Sequence, residues 1–166
     1  MTEALQFLQK HRKQGALLDA NLLLVYAVGK FNKSLLTSFS HTKQYATDYE
    51  LVEYIVENLN VIYTTPNILT EVSNLGGKLK AEDFFITLRK LLKVLREEYC
   101  ESAQAAEKPI FPKLGLTDAG IMAIAERNIL VVTDDWPLYQ TLRSRGVDAV
   151  NINHLRPLYW DKQFHI

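Results

Sequence analysis

Apolar residues in this chain fall into short solid runs that alternate with helix-period patterns. The strongest signal is residues 15–28, GALLDANLLLVYAV, where a three-residue apolar run passes straight into a helix with few polar positions. A short apolar run bounded by glycine reads as a buried strand. Before it, Ala4, Leu5, Phe7 and Leu8 recur at helical spacing, which predicts a helix within residues 1–14 that Gly15 ends. Residues 30–47 are polar and locally basic, and predict a loop with a helical turn or two.

The pattern then repeats. Residues 48–58 predict a helix with acids toward its start, and 61–63 a β-branched and aromatic strand. Thr65-Pro66 marks a capped helix start, stopped at Gly76-Gly77. Residues 81–102 give the longest helical signal, with Phe84, Phe85, Leu88, Leu91, Leu92 and Leu95 at helical intervals and Arg89, Lys90, Lys93 and Arg96 behind them. Cys100 is expected on this helix as a packing residue. Pro109 and Pro112 place a loop at 104–114. A helix at 116–127 with Thr117 as its cap, a buried strand at 129–132, a helix at 136–145 and a last strand at 147–152 complete the series. The tail 153–166 predicts no clear element.

Strands alternating with helices imply an α/β fold: three layers, α/β/α, around a central parallel sheet of four to five strands. The 166 residues fit one domain over 1–166, with the 1–14 helix and the 154–166 tail as extensions. Lys+Arg and Asp+Glu are equal at 19 each, so any nucleic-acid contact must be local, not a bulk field. The single cysteine excludes an internal disulfide and a cysteine-rich zinc cluster. The basic run at 10–13 before an apolar stretch has the outline of a secretory signal, but Asp19 and Asn21 interrupt it and no convincing cleavage site follows. The uninterrupted apolar part is shorter than the roughly 20 residues of a membrane span. The expectation is a cytoplasmic protein with no membrane partner.

Four acids share one context. Asp19 follows the first strand and Asp135, beside Asp134, follows the strand at 129–132. Glu71 and Asp118 lie early on helices. A carboxylate between two apolar runs is costly unless compensated, and in a parallel sheet the carboxyl ends of strands face the ligand crevice. Capping of the following helix is the competing reading of each. Carboxylates converging at about 6 Å would repel by roughly 3 kcal/mol per pair at an effective dielectric near 20, and so call for a cation or bound protons. An all-oxygen set points to Mg²⁺ or Mn²⁺.

GALLDANLLL, TPNILTEVSN, GLTDAGIMAIAE and ILVVTDDWPLY, in that order, resemble the signature blocks of the PIN-domain nucleases. The resemblance runs from about residue 15 to 153. It implies a metal-dependent endoribonuclease, often the toxin of a toxin–antitoxin pair of the VapC kind. It also implies a PIN-like sheet, a metal set of Asp19, Glu71, Asp118 and Asp135, and neighbouring polar partners in Asn21, Thr133 and Asp134. The spacing from Thr133 in those nucleases favours Asp135 over Asp134. RNA is the expected substrate, with an antitoxin protein and a homodimer as further partners. Lys30, Lys33, Arg89 and Arg143 are weaker candidates for phosphate contacts. Two alternatives stay open: a catalytically silent binding or scaffold module, and a structure-selective DNA nuclease. Trp136 either stacks on a base or fills space beneath its loop. His11, His41, His154 and His165 are scattered, and are expected at surface or loop positions.

Overall fold

The apolar run at 16–18 is the middle strand of a five-stranded, all-parallel sheet. A computed structural model describes residues 2–161 and 165–166; residues 162–164 of the predicted tail lie outside the described residues. In chain order the elements are α1 (Glu3–His11), β1 (Ala16–Leu18), α2 (Ala20–Asn32), α3 (Tyr49–Asn58), β2 (Ile62–Thr64), α4 (Pro66–Gly77), α5 (Glu82–Leu92), β3 (Arg96–Glu97), α6 (Ser102–Ala106), α7 (Phe111–Ala125), β4 (Leu130–Thr133), α8 (Trp136–Ser144), β5 (Ala149–Asn151) and α9 (Arg156–Trp160). Short 3₁₀ turns occupy Lys33–Leu36, Lys43–Asp48 and Ile152–His154.

Strand order is β3-β2-β1-β4-β5. From β1 the chain first builds outward through β2 and β3, then returns to the other side of β1 for β4 and β5. The reversal falls between β1 and β4, which pair Ala16 with Leu130 and Leu18 with Val132. Helices flank the sheet in three layers: α2 packs against α3, α4 and α5, and α8 against β4 and β5. All three residues of β1 and all four of β4 are buried. Each large aliphatic side chain removed from water contributes about 1.5–3 kcal/mol, and these two strands lie at the centre of one continuous apolar cluster.

Gly29 and Gly15 each permit a close approach that a side chain would block. A Cβ on Gly29 of α2 would lie 2.0 Å from the Tyr49 ring of α3, and one on Gly15, at φ +97°, 2.1 Å from the Val61 carbonyl oxygen. Gly15 therefore does more than end a helix; it lets the chain enter β1 against the start of β2.

Several expectations are corrected. The predicted long helix at 81–102 is α5, a turn, strand β3 and the start of α6. β3 is an exposed edge strand without an apolar run, which is why periodicity passes over it. Cys100 therefore lies between β3 and α6, partly buried against the core, not on a helix. The loop predicted at 104–114 contains most of α6 and the first turn of α7. Helix α2 runs on through residue 32, so Lys30 belongs to it and not to a connector. His11 is not at the surface: it is fully buried, with Nε2 2.7 Å from Asp148 Oδ2.

Candidate metal centre

Each of the four acids is placed by a different element, and the four share one cavity. Asp19 is the N-cap of α2: its Oδ1 accepts from the Leu22 amide at 2.9 Å. Its backbone N–H donates to the Val132 carbonyl at 3.1 Å, which fastens the end of β1 to β4. Asp135 is the N-cap of α8, with Oδ1 accepting from the Leu138 amide at 2.7 Å. Both acids thus act as caps, and both also face the crevice at the switch between β1 and β4, where ligands of parallel sheets bind. Glu71 comes from α4, which follows β2, and Asp118 from α7, which precedes β4.

The cavity has a volume of about 350 Å³. Asp19, Glu71, Asp118 and Asp135 line it, with Asn21, Thr117 and the apolar side chains of Leu114, Leu116, Ile121 and Leu138. Asp134 is not among the lining residues; its Oδ1 accepts from the Asn21 amide at 3.2 Å. The aspartate doublet therefore divides, with Asp135 toward the cavity and Asp134 into a polar network behind it.

Asp19 is 5% exposed, and both of its oxygens accept hydrogen bonds. Oδ2 accepts from the Thr133 hydroxyl and, at 3.0 Å, from the Asp134 backbone amide. Burial, then the negative charge of Asp134, push its pKa to about 8 against the hydrogen bonds from Thr133 and Leu22. Asp118 is pushed to about 7, first by burial and then by the charges of Asp135 and Glu71. That repulsion marks three carboxylates close enough to feel one another.

Thr117 does not cap a helix with its side chain. The chain breaks at Gly115, φ 87° and ψ −174°, inside α7, and the Thr117 hydroxyl instead donates to Glu71 Oε1. Thr117 thereby couples α7 to α4 at the cavity wall. Sequence patterning assigns it a local role because the partner lies 46 residues away.

Behind Asp134 lies a second network that the sequence did not reveal. Asp48, 1% exposed, accepts from Arg156 Nε and Nη2, both at 2.6 Å. Arg156 also donates to Asn153 Oδ1. Asn151 Nδ2 donates to the Asp134 carbonyl at 3.3 Å, and Asn21 Nδ2 lies 3.4 Å from the Tyr45 hydroxyl. Residues 43–48 and the C-terminal helix α9 are thus tied to the back of the site.

The basic candidates lie elsewhere. Lys30 pairs with Glu53 at 2.9 Å and Lys33 with Glu50 at 3.4 Å, both on α3. Arg143 pairs with Glu3 at 2.6 Å and sits over the Phe7 ring at 4.6 Å. Arg89 is exposed along a groove between α4 and α5. None of the four lines the cavity.

Among the described residues, no three His, Cys, Asp or Glu side chains stand together as a ready-made metal cage. The expected gathering of acids takes the form of a shared cavity lining. Mg²⁺ commonly keeps several waters and takes only one or two carboxylates, so acids that line a cavity without forming a cage are compatible with a hydrated hard cation. No helix among the described residues is long and apolar enough to cross a membrane. No protein-family model matches the chain, and a search of curated proteins finds none that matches it.

Proposed function

We propose that this chain is a metal-dependent endoribonuclease of the PIN-like kind, acting through the Asp19–Asp135 cavity. The observation that carries the reading is that four acids far apart in sequence line one crevice at the strand-order switch, two of them with carboxyls pushed toward neutral pH. A site that concentrates negative charge at a cost to itself is built for a positive ligand. Asp19, Asp118 and Asp135 would hold Mg²⁺ or Mn²⁺ directly or through water. Such an ion, when bound, supplies an acidified water and neutralises charge on the scissile phosphate.

The chain's own residues do the rest. Thr133, the Asp134 amide and the Leu22 amide fix the Asp19 carboxylate so that it cannot turn away. Glu71, which accepts from Thr117 on one oxygen, would hold a second cation or orient the attacking water. Asn21 keeps Asp134 turned from the cavity. A toxin paired with an antitoxin protein is the biological setting that the family likeness suggests.

One observation favours a second reading, a binding or scaffold module that has lost the reaction: the carboxylates line the cavity without closing into a cage. Incubation of the purified chain with single-stranded RNA and Mn²⁺ separates the two. The nuclease reading expects cleavage that Asp19→Asn abolishes while the fold persists. Equal cutting by wild type and variant, or no cutting by either, would overturn it.

A further inference from the structure

Trp136 opens α8 directly after the cavity residue Asp135, yet 48% of it is exposed. It does not fill space beneath a loop. Its ring leans on Tyr139, one turn along α8, with centroids 5.3 Å apart and planes at 33°. It also meets the ring of His154 at 5.8 Å and 84°. Tyr139 and His154 meet edge to face at 5.2 Å and 83°, so the three rings brace one another. His154 comes from the 3₁₀ turn after β5, at the same carboxyl end of the sheet as Asp19 and Asp135.

This end of α8 offers little to a phosphate. Pro137 has no amide hydrogen, and the Leu138 amide is taken by Asp135. What it presents to water is an aromatic ring held in a fixed orientation, one residue from the acidic cavity. Such a ring suits a flat π ligand, and Trp136 is the neighbour of the cavity-lining Asp135. Bases in a duplex are already stacked, whereas those of a single strand can splay onto a protein ring.

We infer that Trp136, backed by Tyr139 and His154, is a stacking platform for a nucleobase of single-stranded RNA bound at the Asp19–Asp135 cavity. This rests on the nuclease reading and adds where the substrate's base is held. The platform grips without reading base identity, because every base has a π face.

The test uses the full chain carrying Trp160→Phe, so that Trp136 is the one remaining tryptophan. A short oligoadenylate added with Ca²⁺ in place of Mn²⁺ should quench its fluorescence. Trp136→Ala should weaken binding by about tenfold, Trp136→Leu nearly as much, and Trp136→Phe far less, with melting temperatures unchanged. With Mn²⁺, Trp136→Ala should raise KM by a similar factor and leave kcat nearly constant. An unchanged spectrum on adding RNA, or equal affinity in the Leu and Phe variants, overturns the platform. RNA that quenches Trp136 but is not cut with Mn²⁺ supports the platform and removes the nuclease reading. RNA that is cut with the same KM in wild type and Trp136→Ala removes the platform alone.

Discussion

Thr133 donates its hydroxyl hydrogen to Oδ2 of Asp19, joining the last residue of β4 to the residue that follows β1. The same Thr133 oxygen accepts from the Asp135 amide at 2.9 Å, so one buried hydroxyl sets two of the cavity's acids. Thr133→Val keeps the shape and removes both bonds. It should cost about 1–3 kcal/mol, the usual penalty for leaving a buried polar group unpaired. Because the hydroxyl favours the ionised form of Asp19, the loss should be larger near pH 9 than near pH 6 in urea denaturation. A loss of equal size at both would contradict the assignment.

Asp118 is repelled by Asp135 and Glu71. Asp118→Asn removes one charge from that set with little change of volume. Without metal at pH 8, the variant should melt at or above the wild-type temperature. Its gain in melting temperature from Mn²⁺ should shrink, and cleavage should fall by about a hundredfold or more. Differential scanning calorimetry with and without Mn²⁺ reads both arms. Destabilisation in metal-free buffer would mean that Asp118 is a structural hydrogen-bonding residue.

The pH dependence of the metal-free protein has a definite sign. Asp19 and Asp118 bind protons more tightly folded, at about 8 and about 7, than at their unfolded values of 3.8. Between those limits the native state holds more protons than the unfolded state, so stability falls as pH rises from about 4 to about 8 and levels off above. A cation competes with those protons. Mn²⁺ should therefore stabilise more at pH 8 than at pH 5, by mass action on the ionised form. Urea midpoints across this range, with EDTA and with Mn²⁺, check it; a metal-free profile that rises from pH 5 to 8 would contradict it.

The Asp48–Arg156 pair ties α9 to the turn at Lys43–Asp48. Arg156→Met leaves a buried carboxylate without its partner. The cost should be about 2–3 kcal/mol, below that of a fully buried pair because Arg156 keeps about a third of its surface in water. Adding Asp48→Asn should recover part of it. Guanidinium unfolding of the single and double variants measures both terms, and an additive double variant would show that the two side chains are not coupled.

The sequence made the centre of the fold legible and left its edges obscure. β1 and β4 are short, largely apolar runs and β2 a β-branched and aromatic one because their side chains are buried, and the Thr65 cap is marked by Pro66 and confirmed by an Oγ1 that accepts from the Ile68 amide at 3.2 Å. Asp19 stands out because it interrupts such a run. β3 is invisible for the opposite reason: as an exposed edge it needs no apolar side chains. Buried His11, Thr117 on Glu71 and Arg156 on Asp48 depend on partners 137, 46 and 108 residues away, beyond the reach of any local pattern. Lys30 and Lys33 look available in a polar stretch, but the acids of α3 that hold them occur one helix later.

The proposed reaction requires a cation seated among the carboxylates of the cavity. A crystal soaked in Mn²⁺ and measured for anomalous scattering tests this most directly. The expected result is a peak in contact, directly or through one water, with Asp19, Asp118 and Asp135, and its absence from Asp118→Asn crystals soaked alike. A cavity that shows no anomalous peak at saturating Mn²⁺, or a peak that binds elsewhere, would contradict it.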